Sequence, residues 1–126
     1  MKLTKLTSEI EVKYQKLFQR TINAMNDYKA DKDLQKFKAI LFAIIDETPN
    51  VCFLEPDVCE MYGVETEESA LVEFDEETEN DNRDNLKELI TEYADQGFDD
   101  YQLGLGSASL IYTLFGDTAY KLRVRI

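Results

Sequence analysis

Ile10, Tyr14, Leu17, Phe18, Thr21, Met25 and Tyr28 recur at steps of three and four, which predicts an amphipathic helix over residues 9–28. Ser8 and Glu11 stand ahead of it in the Ser-x-x-Glu arrangement of a capping box. Lys13, Lys16 and Arg20 line a different face. A second helix is predicted after Asp33, with Leu34, Phe37, Ile40, Leu41, Ile44 and Ile45 as its apolar stripe and Thr48-Pro49-Asn50 as its stop. The run from Ala39 to Ile45 would also suit a buried strand, but the pattern reaches back to Leu34 and favours helix.

Farther along, Val51 to Leu54 is a short apolar stretch suited to a strand. Pro56 fits the first turn of a small helix that Gly63 ends. Ala70 to Phe74 predicts another strand. Asp75 to Asp84 is the most polar segment and predicts a loop or an extended arm. Asn82 or Asp81 then caps a helix whose core face is Leu86, Leu89, Ile90 and Tyr93, stopped by Gly97. At the C-terminal end, Ser109 to Phe115 and Thr118 to Ile126 flank Gly116-Asp117, a Gly-x pair suited to a type II′ hairpin. In that hairpin Tyr120, Leu122, Val124 and Ile126 face the core, while Lys121, Arg123 and Arg125 face out. The expected fold is α+β: three to four helices packed on a small, mainly antiparallel sheet that ends in a C-terminal β-hairpin. No internal repeat or long linker divides the chain, so residues 1–126 are expected to form one domain.

Composition supports that expectation without narrowing it. With 44% hydrophobic residues in 126, the chain has the material for a real core and should bury roughly two-thirds of the surface its unfolded form exposes. The lysine-bearing start, Met1 to Thr7, has no apolar region behind it and does not read as a secretory signal. The longest apolar run, Ala39 to Ile45, is far shorter than the roughly 20 residues of a membrane span. Cys52 and Cys59, in a chain without histidine, match neither a zinc site nor a redox pair and read as reduced, packed thiols. A reducing, cytoplasmic setting is therefore expected.

Charge changes the picture more. The net charge of −12 is unevenly spread. Residues 1–45 carry nine Lys/Arg against five Asp/Glu, a balance of +4; residues 46–101 carry two against twenty, −18; residues 102–126 carry three against one, +2. Phosphate repels such a central block, which argues against direct binding to nucleic acid or an anionic membrane. A basic protein partner is attracted to it. Mildly basic ends beside an acidic middle would also let two copies pair, so a homodimer is compatible with the pattern.

Within the block, Glu73, Asp75, Glu77, Glu79 and Asp81 occupy alternate positions. An extended segment would set them on one face roughly 6–7 Å apart. Asp84, Glu88, Glu92 and Asp95 follow at helical spacing, opposite Leu86, Leu89 and Tyr93. Two rows of carboxylates in this arrangement resemble the phosphates of a nucleic-acid strand in spacing and sign. The function this suggests is a non-enzymatic inhibitor of the anti-restriction or anti-CRISPR type, which mimics nucleic acid and blocks the cationic groove of a nucleic-acid-processing protein. A plainer reading makes the same face a solubilising surface. A different one makes the chain an adaptor, immunity or assembly protein that recognises a protein through surface aromatics, chiefly Phe98 and Tyr101 around Asp99 and Asp100.

Rival chemistries fit less well. Asp75, Glu77 and Glu79 approximate the start of an EF-hand loop, but Asn80 stands at its glycine position and Leu86 at its bidentate glutamate. The stretch Leu103-Gly104-Leu105-Gly106-Ser107 lacks a P-loop lysine and leads into a predicted strand instead of a helix. Without histidine, and with no nucleophile elbow, catalysis finds little support. No cofactor or metal is expected.

Overall fold

The computed structural model describes residues 2–122. Its elements, in chain order, are β1 (Lys2–Leu3), α1 (Ser8–Asp31), α2 (Leu34–Glu47), β2 (Val51–Leu54), α3 (Pro56–Met61), β3 (Ala70–Glu73), α4 (Glu76–Gln96), α5 (Leu110–Phe115) and α6 (Asp117–Lys121). The fold is thus more helical than three to four helices on a sheet, and among the described residues the C-terminal hairpin is replaced by two short helices.

The first helix starts one residue earlier than expected, at Ser8 itself. Thr7, in extended conformation, is the N-cap, and its Oγ1 accepts the Ile10 amide at 3.2 Å. The helix buries Tyr14, Leu17, Phe18, Thr21, Ala24 and Met25 on one face. Buried Thr21 satisfies its hydroxyl by donating to the Leu17 carbonyl at 2.8 Å. At the other end Lys32 adopts the left-handed conformation, φ 57°, and returns its amide to the Tyr28 carbonyl. That position favours glycine, because a Cβ there crowds the backbone. Lys32→Gly is therefore expected to stabilise the protein by about 0.5–1 kcal/mol, read as a higher urea midpoint with an unchanged slope.

Asp33 caps α2 by accepting the Lys36 amide at 3.1 Å, and Phe37, Leu41, Ile44 and Ile45 bury against α1. Arg20 and Glu47, 2.6 Å apart, tie the middle of α1 to the end of α2. The sheet has the order β1-β3-β2, all antiparallel, with Cys52 opposite Val72 and Phe53 opposite Leu71. β2 would be left with an open edge, but α6 lies against it: Thr118 Oγ1 accepts the Phe53 amide at 3.3 Å.

Why the C-terminal segment is helical can be read from its buried positions. Leu110, Ile111, Leu114 and Phe115 are all buried, a pattern of i, i+1, i+4, i+5 that belongs to one helix face. Tyr120 is 68% exposed while Leu122 is 8% exposed. Two residues apart share a face in a strand but point nearly oppositely in a helix, so this pair excludes the expected strand register. Gly116 does adopt φ 55°, ψ −134°, close to the first central position of a type II′ turn. The residue bends the chain between two helices, and the expected type II′ hairpin is not formed. Residues 123–126 of the expected second strand lie outside the described residues.

Residues 75–84 are not a loop or an extended arm. They form the N-cap and first turns of α4, whose cap lies six or seven residues before the expected caps Asp81 and Asn82. Asp75 is the N-cap and accepts the Thr78 amide at 2.8 Å. Glu76, Glu77 and Glu79 occupy the first turn, where the helix dipole favours negative charge. Glu79 and Arg83, one turn apart, pair at 2.5 Å. The predicted extended row of alternate carboxylates therefore does not exist.

Candidate functional site

Helix α4 packs on α2 through Ile90 and Ala94, both buried, with Leu86 and Tyr93 half-buried beside them. At 100° per residue, Glu77, Asp81, Asp84, Glu88, Glu92 and Asp95 fall within a wedge of about 80° on the opposite face. All six are exposed. They span about 27 Å of helix, one charge per about 5.4 Å. A single strand of B-DNA carries a phosphate about every 3.4 Å, so the row has roughly two-thirds of that linear density.

No basic side chain of α4 sits within this wedge. Arg83 turns to the flank, where it holds Glu79 and donates to the Thr48 carbonyl at 2.9 Å, capping the end of α2. Lys87 reaches back to Asp46 of α2 at 2.7 Å. Both cations are thus engaged with the body of the protein.

The remaining residues expected at the site are placed differently. Glu73 is exposed at the end of β3. The Asp75 carboxylate caps α4, and the Thr78 amide and hydroxyl hold it below its ordinary pKa. Glu79 is half-buried on the far side of the helix. Phe98 is not a surface aromatic: its ring meets Phe37 at 4.8 Å and Tyr28 at 5.8 Å, edge to face. Tyr101 is 78% exposed just beyond the row, and Tyr62 is exposed at the end of α3. What sequence reasoning missed is that Glu77 and Asp81 continue the helical row. Their steps of four and three to Asp84 carried that signal, but the alternation of acids masked it.

A cavity of about 400 Å³ lies between α4, the end of α2, β2 and α5. Its lining joins buried Tyr14, Ile45, Leu114 and Phe115 to half-buried Leu86 and Leu89 and exposed Asn82 and Asn85 of α4. The Tyr14 hydroxyl donates to the Val51 carbonyl at 2.5 Å, and burial keeps it protonated. Cys52, also lining the cavity, is a free thiol that burial, and secondarily Asp117, pushes up to about 12. It is an inert thiol at neutral pH.

One further carboxylate pair stands apart from α4. Burial first, and Glu55 beside it second, raise the pKa of Asp117, whose Oδ2 is shielded from solvent without a hydrogen-bond partner. A raised folded-state pKa gives stability that is full below the unfolded value of about 3.9 and lost as pH rises through the folded value. Asp117→Asn is expected to raise stability at pH 7 and to flatten the fall in stability above pH 4. Urea titrations across pH 4–7 read both effects.

Among the described residues, no three Cys, Asp or Glu side chains converge to hold a metal ion, and no helix is long and apolar enough to cross a membrane. No family model, curated protein or solved structure matches the chain.

Proposed function

We infer that the protein is a non-catalytic binding protein whose α4 face occupies the cationic groove of a nucleic-acid-processing protein, such as a nuclease, and excludes its nucleic acid. The observation that carries this reading is the cost of the row. Six like-charged side chains, in five neighbouring pairs three or four residues apart, repel one another. Asp95 lies in the last turn, where the dipole disfavours negative charge and where α4 has no basic residue. Apart from Glu77, which the dipole favours in the first turn, these side chains return nothing to the fold, and a surface that breaks local rules without structural return is where function is sought.

The test is binding to a candidate groove-bearing partner across a salt series. Affinity should fall steeply between about 50 and 200 mM salt, because exposed charge pairs are screened over a Debye length near 10 Å. A salt-indifferent complex would sink the reading.

A second reading is favoured by the exposure of Tyr101 and Tyr62: an adaptor, immunity or assembly role in which aromatics anchor a protein partner. Tyr101→Ala then removes most of the affinity, salt matters little, and added nucleic acid does not compete.

A further inference from the structure

We propose that the cavity beneath α4 is a binding site for a small, uncharged, mostly apolar molecule carrying one carboxamide or hydroxyl head group. Its volume of about 400 Å³ lies within the range of small-molecule sites, roughly 300–1,000 Å³. Filled with solvent it would hold about a dozen waters, at about 30 Å³ each. Most of those waters would face Ile45, Leu86, Leu89, Leu114 and Phe115, which offer no hydrogen bonds. Replacing poorly held water by an apolar body is favourable. The lining therefore selects hydrocarbon for the body of the ligand.

The head group follows from the charges. Arg83 and Glu79 line the cavity but neutralise each other at 2.5 Å, and Arg83 also serves the Thr48 carbonyl. An acid finds no free counter-ion there and is repelled by the carboxylates on the neighbouring face of α4. An amine would enter an apolar cavity without an unpaired carboxylate to meet it, and desolvating it is costly. Asn82 and Asn85, the exposed amides of the lining, offer both donors and acceptors. A neutral amide or hydroxyl is the head they match. The acidic row plays no part in holding such a ligand, so this site stands or falls independently of the groove-binding role.

Three probes of one shape separate the possibilities: 4-phenylbutanamide, 4-phenylbutyrate and 4-phenylbutylamine. Each is titrated into the whole chain and followed by calorimetry and by backbone amide shifts. The amide is expected to bind at least tenfold tighter than the acid or the amine, unchanged between low and high salt, with shifts confined to the cavity lining. Leu89→Trp, which fills the cavity, should weaken the amide at least tenfold. If that variant fails to fold, Leu89→Phe is the smaller plug and should weaken it in the same direction. The proposal is overturned if the amide does not bind at millimolar concentration, if the acid or amine binds as tightly, or if folded plug variants bind unchanged.

Discussion

Replacing Glu77, Asp81, Asp84, Glu88, Glu92 and Asp95 together by their amides is expected to stabilise the free protein while removing its binding. The row contains five like-charged pairs: Glu77–Asp81, Asp81–Asp84, Asp84–Glu88, Glu88–Glu92 and Glu92–Asp95. At about 0.2–0.5 kcal/mol each, relieving them is worth about 1–2.5 kcal/mol at low salt. The dipole effects lost at Glu77 in the first turn and gained at Asp95 in the last are opposite in sign and offset each other. All six side chains point away from the core, so helix content and the urea slope should be unchanged. In the complex the same residues would supply complementary charge, and losing six contacts should weaken binding by at least about 10²-fold. The opposite signs make this variant informative. Lower stability would mean that the carboxylates serve the fold, and undiminished binding would mean that the face is only a solubilising surface.

Phe37→Ala is expected to cost about 3–5 kcal/mol, the largest effect of any single truncation considered for this chain. Phe37 is 1% exposed and sits between Tyr28, stacked at 4.8 Å, and Phe98, edge-on at 4.8 Å. These three rings bring together the end of α1, the start of α2 and the segment after α4. Removing the middle ring leaves a cavity that the other two cannot both fill. Against a typical total of about 5–15 kcal/mol, the variant should sit near the edge of folding. Equilibrium urea denaturation measures it. A loss under about 1.5 kcal/mol would contradict this packing.

The parts of the fold legible in the sequence were those whose apolar spacing is long and continuous. The apolar faces of α1 and α2, the apolar stretches of β2 and β3, and the Gly97 stop of α4 all follow from such local signals. Two segments failed for different physical reasons. In residues 75–84 there is no apolar period, because the first turns of α4 run along the molecule with little buried beneath them. Capping by Asp75 and the Glu79–Arg83 pair form the helix there, and the polar composition resembled a loop. Near residue 116 the Gly-Asp pair suited a hairpin, but what flanks it is decided by tertiary packing: Leu110, Ile111, Leu114 and Phe115 are drawn as one helical face onto the core of α1.

The candidate site was legible in its charge and only partly in its geometry. Asp84, Glu88, Glu92 and Asp95 lie together on α4, as their spacing indicates. Glu77 and Asp81 share their face through helical periodicity rather than through alternation, and Asp75 and Glu79 are engaged in capping and pairing. Phe98 followed the apolar demand of the Tyr28–Phe37 cluster. The cavity could not be read from the chain, because its lining comes from residues far apart in sequence: Tyr14, Ile45, Leu86 and Phe115.

The central claim is that the α4 row stands in for nucleic acid in a cationic groove. It is tested most directly by capturing partners on the immobilised protein from a lysate of its native cells and washing with increasing concentrations of duplex DNA or RNA at fixed salt. Capture on the six-amide variant runs in parallel. The expected result is a nucleic-acid-binding protein that is retained by the unaltered chain, displaced by the added nucleic acid, and absent from the variant. A partner retained equally by both proteins and unmoved by nucleic acid would contradict the claim.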